Sequence, residues 1–140
     1  MIVLDTNVLS EIMKVSPEAR VIKWLRGHPP SSLFTTSITQ AEILYGIRLL
    51  PAGKRRDGLE KEAGEMFCQD FKGRILSFGS EAATIYAQLA SDRQRAGRPI
   101  SQFDAQIAAL ARCSGALLAT RNESDFEGCG VQVVNPWTAK

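Results

Sequence analysis

Short apolar runs alternate with helical stretches along most of this chain. Each run is rich in Val, Ile or Leu and is bounded by turn residues, which is typical of buried strands. Strands that alternate with helices form βαβ units, and these units build a parallel sheet with right-handed crossovers. The sequence therefore predicts an α/β fold, with strands at residues 2–4, 33–36, 75–78, 116–119 and 131–134.

Capping residues and glycines mark the helix boundaries. Pro17 suits the first position of a helix, and Thr39 with Glu42 fits a capping box. Gly97 and Gly115 suit helix ends. The predicted helices cover residues 8–14, 17–26, 38–50, 54–71, 80–96 and 101–114. The helix over 80–96 is expected to turn one side inward, formed by Ala83, Tyr86, Ala87 and Ala90.

Composition limits the class of protein. The 140 residues are 44% hydrophobic and 23% charged, which predicts one soluble globular domain over residues 1–140. No basic and apolar leader opens the chain, and no apolar run reaches the length of a membrane span, so a cytoplasmic protein without a membrane partner is expected. Three cysteines without a C-x-x-C pair favour a reducing compartment.

Four carboxylates stand where strands end or helices begin: Asp5, Glu42, Asp104 and Asp125. The carboxyl ends of parallel strands share one edge of a sheet, and ligands bind there in open α/β sheets. Oxygen ligands without His or Cys suit a hard cation such as Mg²⁺ or Mn²⁺. Such a cation in turn suits phosphodiester chemistry.

Each acid also has a structural interpretation. Asp5 could cap a helix or form an Asx turn, and Asp125 could be an ordinary loop residue, like Asn122. Glu42 could complete the capping box, and Asp104 fits the same start pattern. Taken together the acids would repel one another, and either a divalent cation or Arg and Lys partners would remove that penalty.

Two basic clusters, residues 54–56 and residues 93–98, have two interpretations as well. They are either solvated helix faces or phosphate contacts near an acidic site. The net charge of +2 is too small to indicate a polyanion-binding surface by itself.

The chain resembles PIN-domain proteins, and within them the VapC-like toxin ribonucleases of the FitB or plasmid-stability (StbB) branch. The resemblance extends over nearly the whole chain and rests on motifs at residues 1–11, 37–46, 103–109, 118–122 and 134–137. It implies a three-layer α/β/α sandwich around a five-stranded, mostly parallel sheet. It also implies a homodimeric, Mg²⁺- or Mn²⁺-dependent endoribonuclease acting on RNA. A cognate VapB- or FitA-like antitoxin would inhibit it, and operator DNA would be bound only through that antitoxin.

By position, Asp5, Glu42 and Asp104 match the first three acids of the family. The fourth position departs from the family pattern, because Asn122 stands where Asp is frequent; Asp125 is the alternative source of the charge. The resemblance implies that Asp5 and Asp104 hold the metal, with Asp125 or Asn122 completing its shell, and that Glu42 joins them or orients the attacking water. Thr6, Asn7 and Thr120 match supporting polar residues, and the candidate RNA backbone contacts are Arg121, Arg93, Arg95 and Arg98.

Rival functions have weaker support. A dehalogenase-like phosphatase needs a second Asp where Asn7 stands, and a dinucleotide-binding domain needs a glycine-rich first turn. The stronger rival is a weakly catalytic or non-catalytic PIN subunit that dimerises and stabilises a DNA-bound antitoxin. Asn122 at the fourth acidic position keeps that alternative open.

Overall fold

The computed structural model describes residues 1–140 and contains a five-stranded sheet in the order β3-β2-β1-β4-β5. All four neighbouring pairs are parallel, which confirms the predicted parallel α/β architecture. The central strand β1 pairs with β2 on one side and with β4 on the other. The strands are β1 Ile2–Leu4, β2 Leu33–Thr36, β3 Ile75–Leu76, β4 Leu117–Ala119 and β5 Val133–Val134.

Six α-helices connect the strands: α1 Thr6–Ile12, α2 Ala19–Arg26, α3 Ser37–Arg48, α4 Lys54–Glu65, α5 Ser80–Arg95 and α6 Gln102–Cys113. A π-helical turn, Met66–Asp70, extends α4, and a 3₁₀ turn, Glu123–Phe126, follows β4. None of these helices has both the length and the apolarity to cross a membrane.

The sheet separates two apolar cores. Side chains alternate along β1, so Ile2 and Leu4 join the core beneath α1 to α4, whereas Val3 joins the core beneath α5 and α6. Both cores contain fully buried residues, such as Leu9 on the first side and Ile107 on the second. The result is a three-layer sandwich, as the resemblance implied.

Some local predictions were wrong. Helix α2 begins at Ala19 with Glu18 as its N-cap, so Pro17 lies outside it. In α5 the buried residues are Ala82, Leu89 and Arg93, and the predicted inward residues Ala83 and Ala87 are exposed. Strands β3 and β5 are two residues long rather than four. Both are edge strands, where pairing on one side only supports less regular structure.

Candidate active site

Asp5 follows β1 directly and is almost fully buried, with 4% of its surface exposed. Its backbone N–H donates to the carbonyl of Ala119 at 2.9 Å, which continues the β1–β4 ladder by one residue. Its carboxylate accepts the N–H of Thr6 at 2.8 Å and so caps α1. The capping interpretation of Asp5 is therefore confirmed, and it is compatible with a place in the site.

Thr120, the residue after β4, joins three parts of the site through its hydroxyl. Oγ1 donates to Oδ2 of Asp5 at 2.7 Å. The same oxygen accepts Nδ2–H of Asn7 and the backbone N–H of Asn122, each at 3.1 Å. The side chain of Thr120 is completely buried, so this hydroxyl is a fixed hydrogen-bonding centre.

Glu42 lies in the second turn of α3 and does not cap that helix. The N-cap is Thr36, whose hydroxyl accepts the N–H of Thr39 at 3.0 Å. The predicted capping box of Thr39 and Glu42 was therefore wrong, because the helix begins one turn earlier. Glu42 instead accepts the hydroxyl of Thr6 at 2.9 Å, which directs its carboxylate toward α1.

Asp104 lies in the first turn of α6. Ser101 is the N-cap of that helix, and its hydroxyl accepts the N–H of Asp104 at 3.2 Å. The alanines that follow Asp104 lie against the sheet, as the small-residue pattern predicted. The buried ones are Ala105, Ala108, Ala109 and Ala111.

Each of the three acids has a raised pKa, with burial as the largest cause. Burial, together with the negative charges of Asp104 and Glu42, raises the pKa of Asp5 from 3.8 to about 6, against the opposing hydrogen bonds from Thr120 and Thr6. Burial and the charge of Asp104 raise the pKa of Glu42. Burial and the charge of Asp125 raise the pKa of Asp104. None of the three forms a salt bridge, so their mutual repulsion has no cation to offset it within the protein.

The donor chemistry of this cluster fits a hard divalent cation, because every candidate ligand atom is oxygen. The acids do not converge into a group of three that could hold a metal ion directly. Mg²⁺ typically keeps several water ligands and takes only one or two carboxylates, so a group of three direct carboxylate ligands is not required for it.

A pocket of about 420 Å³ opens in front of the carboxylates. Its walls include the predicted residues Asp5, Thr6, Asn7, Glu42, Asp104, Arg121 and Asn122. Sequence reasoning missed four further wall residues: Ser10, Glu11, Lys14 and Trp137. The first three follow Asn7 at helical spacing, three, four and seven residues on, and that period was the available signal.

Two residues, Asn122 and Asp125, are candidates for the fourth position of the acidic site. Asn122 lines the pocket but carries no charge. Asp125 is exposed and does not line the pocket, yet its negative charge raises the pKa of Asp104. The two therefore remain alternative contributors of an oxygen ligand.

The predicted RNA-contacting arginines have different surroundings. Arg93 is 8% exposed, and its guanidinium donates to the backbone carbonyls of Arg98, Asp125 and Glu127 at 2.7 to 2.9 Å. The prediction that Arg93 contacts RNA is wrong, because its guanidinium N–H groups donate to the chain after β4 instead. Arg98 is exposed and pairs with Glu127 at 2.9 Å.

Comparisons with known proteins identify the family and the fold. The family model of the PIN domain matches residues 2–128. The plasmid stability protein StbB of Pseudomonas syringae pv. tomato is 40% identical over 99% of this chain and 100% of its own length. The VapC ribonuclease Y4jK of Sinorhizobium fredii and the toxin FitB of Neisseria gonorrhoeae are each 38% identical, over 98% of this chain and 98% and 99% of their own lengths.

Solved structures show the same likeness. FitAB bound to a DNA fragment contains a chain that superposes with a TM-score of 0.93 at 37% identity, covering 100% of this chain and 98% of that one. DNA-bound VapBC from Salmonella typhimurium gives a TM-score of 0.80 at 26% identity, covering 96% and 97%.

Proposed function

This chain belongs to the PIN domain family, and from that premise we propose that it is the toxin of a type II toxin–antitoxin system. Its activity would be that of a Mg²⁺- or Mn²⁺-dependent endoribonuclease in the cytoplasm, held inactive by a cognate antitoxin. Names of relatives support this proposal, since they include a VapC ribonuclease and a FitB toxin.

One observation carries the catalytic part of the proposal. Asp5, Glu42 and Asp104 come from three separate elements, lie around one pocket and have raised pKa values without any ion pair. Acids that only stabilise a fold are normally paired with cations or fully hydrogen-bonded. Perturbed carboxylates gathered in a cleft are typical of a functional site.

Each acid has a distinct role in this proposal. Asp5 and Asp104 hold the metal, and Asn122 or Asp125 contributes a further oxygen. A bound divalent ion supplies an activated water and neutralises charge on the phosphate oxygens. Glu42 accepts a hydrogen bond from the attacking water, and Thr6 keeps the carboxylate of Glu42 turned toward the pocket.

A second groove supports an antitoxin as partner. A cavity of about 580 Å³ adjoins the pocket and shares four wall residues with it: Thr6, Ser10, Lys14 and Glu42. The rest of its wall is largely apolar, with Ile43, Ile47 and Leu50 among it. An amphipathic antitoxin segment could bury its apolar side here and reach the carboxylates. Operator DNA would be bound only through the antitoxin, in line with the DNA-bound FitAB and VapBC complexes.

Exposed apolar side chains support the proposed homodimer. Tyr45 on α3 and Leu49, the C-cap of α3, are 66% and 67% exposed, and Phe103 on α6 is 51% exposed. Exposed apolar side chains that form one contiguous patch typically mark a protein–protein interface. Sedimentation equilibrium of the antitoxin-free protein tests the dimer, and a monomer at micromolar concentration would contradict it.

The test of the nuclease is cleavage of a structured RNA pool by antitoxin-free protein in Mn²⁺ or Mg²⁺, repeated with EDTA. The Asp5→Asn variant, purified identically, controls for contaminating nucleases. Metal-dependent cleavage that is lost in the variant and leaves 5′-phosphate and 3′-hydroxyl ends would support the mechanism. A 2′,3′-cyclic phosphate product would rule it out.

The alternative function is a non-catalytic subunit that dimerises and stabilises the antitoxin on operator DNA. Asn122 in the pocket favours it, because an uncharged amide stands at the position where the family frequently has Asp. Absence of cleavage by folded wild type, with cleavage gained in Asn122→Asp, would support this alternative.

A further inference from the structure

Two cationic side chains, Lys14 and Arg121, lie on the wall of the carboxylate pocket, and both are exposed to solvent. Cations that served to neutralise the acids would pair with them. Neither forms a salt bridge with Asp5, Glu42 or Asp104. Lys14 pairs instead with Glu11, which uses one of its three N–H donors and leaves two for an anion that enters the pocket.

A buried acid, Glu11, binds Lys14 and lies near enough to Arg121 for the charge of Arg121 to lower its pKa. Glu11 is 5% exposed, and its Oε1 lies 3.0 Å from Nζ of Lys14. Its other oxygen accepts the backbone N–H of Glu18 at 3.1 Å. The hydrogen bond from Lys14, the N–H of Glu18 and the charge of Arg121 lower the pKa of Glu11, so this carboxylate stays negative. The negative charge of Glu11 is therefore offset by cations, unlike the charges of Asp5, Glu42 and Asp104.

An aromatic ring positions the second cation. The guanidinium of Arg121 lies over the indole of Trp137, 5.1 Å from the ring centroid, and donates no hydrogen bond within the protein. Trp137 is held by its backbone, since its N–H donates to Asn135 at 2.9 Å and its carbonyl accepts Nη1–H of Arg20 at 3.2 Å. The guanidinium is thus located by stacking while its N–H donors stay free for a ligand.

We propose that Lys14 and Arg121 form a phosphate-binding subsite for the RNA backbone beside the carboxylate cluster, with Glu11 and Trp137 as positioning residues. The inference rests on the proposed nuclease function and specifies how its substrate is held. Lys14 and Arg121 bind a phosphate that neighbours, along the RNA strand, the phosphate placed at the carboxylate cluster. An RNA strand bound in this way would lie across the carboxylates of the pocket. Lys14 and Arg121 would balance its phosphate charge from the side, so no cationic side chain is needed among the acids.

The first test is binding without cleavage. Fluorescence anisotropy of a labelled 16-nucleotide single-stranded RNA of mixed sequence is followed in EDTA over a range of KCl concentrations. Lys14→Gln and Arg121→Gln are each expected to weaken binding and to reduce the slope of log K against log salt by about 0.7, the value for one phosphate contact in a single strand. Lys61→Gln and Arg26→Gln, exposed and outside the pocket, should leave the slope unchanged.

The second test is a double-mutant cycle for Trp137. If Trp137 acts by positioning Arg121, Trp137→Leu weakens RNA binding in the wild-type background and has no further effect in Arg121→Gln. Trp137→Phe keeps a ring face and should restore most of the affinity. Equal losses from Trp137→Leu in both backgrounds would overturn the positioning role, because a general loss of fold is independent of Arg121.

The outcomes separate this inference from the nuclease proposal. Wild type that binds RNA through these cations but never cleaves would retain the subsite and refute the nuclease. Wild type that cleaves with metal, while Lys14→Gln and Arg121→Gln bind RNA with unchanged salt slopes, would retain the nuclease and overturn the subsite.

Discussion

The hydroxyl of Thr120 donates a 2.7 Å hydrogen bond to the carboxylate of Asp5, although the two residues are 115 positions apart. Parallel pairing of β1 with β4 brings them together, because Leu4 is in register with Ala119 and each residue follows its strand directly. The bond links the buried acid of the site to the loop that carries Asn122. It therefore lowers the pKa of Asp5 against the larger effect of burial, and it holds that loop through the N–H of Asn122.

Removing this hydroxyl should raise the pKa of Asp5 further. In Thr120→Val the carboxylate loses a charge-assisted hydrogen bond of about 1.5–3 kcal/mol, so we expect the pKa to rise from about 6 by about one to two pH units. A ¹³C NMR titration of the Asp5 carboxyl measures it. Thr35→Val is the matched control, since Thr35 is equally buried and bonds to the carbonyl of Leu4. A pKa of Asp5 that is unchanged in Thr120→Val would contradict the role of this bond.

Asp5→Asn should stabilise the metal-free protein at neutral pH. Because folding raises the pKa of Asp5 from 3.8 to about 6, stability is highest when the carboxyl is protonated and falls as pH rises through this interval. Above pH 6 the variant should gain about 1–3 kcal/mol in the free energy of unfolding, because a pKa raised by one pH unit corresponds to about 1.4 kcal/mol. Near pH 4 the gain should vanish.

Urea denaturation at a series of pH values checks this expectation. Asp70→Asn, which removes an exposed carboxylate, serves as the control. Excess Mn²⁺ should raise the midpoint of the wild type but not of Asp5→Asn, since a ligand stabilises only a state that binds it. A variant that is less stable than wild type at pH 8 would mean that Asp5 contributes more as a helix cap than it costs as a buried charge.

Glu42 should be dispensable for the stability of α3. Thr36 is the N-cap, so Thr36→Ala is expected to cost about 1 kcal/mol. Glu42→Gln should not lower stability, because burial and the charge of Asp104 already raise the pKa of Glu42. Cleavage of RNA should nevertheless be lost in Glu42→Gln. Thermal unfolding of both variants distinguishes the two residues, and a destabilised Glu42→Gln would restore the capping interpretation.

How far the sequence predicts this fold differs from element to element. The alternation of apolar runs and helices correctly predicted the parallel sheet, since periodicity reports burial directly. Helix starts were less predictable. Thr36 and Thr39 could each be the N-cap of α3, and the sequence pattern favoured Thr39 because Glu42 follows it three residues later. Only the folded structure identifies Thr36 as the N-cap. The structural role of Arg93 was also missed. In sequence, a buried arginine that donates to backbone carbonyls cannot be distinguished from a surface arginine.

Parts of the site depend on contacts that no local pattern reports. The acids could be placed at one edge of the sheet because strand ends and helix starts share that edge. The missed wall residue Trp137 is far in sequence from Asp5 and Asn7, and it reaches their pocket only through folding. The choice between Asn122 and Asp125 stays open for a similar reason, since it depends on the path of the chain after β4.

Asn122→Asp should tighten metal binding. A carboxylate at this position of the pocket wall adds a charged oxygen ligand, and we expect the Kd for Mn²⁺ to fall by about tenfold. Isothermal titration calorimetry measures this change. Gln132→Glu, which adds the same charge at an exposed position on the chain before β5, is the control. An unchanged Kd would exclude Asn122 from the metal shell and favour Asp125.

Arg93 should matter for stability rather than for RNA binding. Its guanidinium, which is buried, donates to the carbonyls of Asp125 and Glu127, and Arg93→Met would remove both of these partly buried hydrogen bonds. We expect a loss of about 3 kcal/mol or more in the free energy of unfolding, measured by urea denaturation. Arg98→Met removes only an exposed ion pair with Glu127, for which about 0–1 kcal/mol is expected. If Arg93→Met were as stable as wild type but bound RNA with a lower salt slope, Arg93 would be a phosphate contact after all.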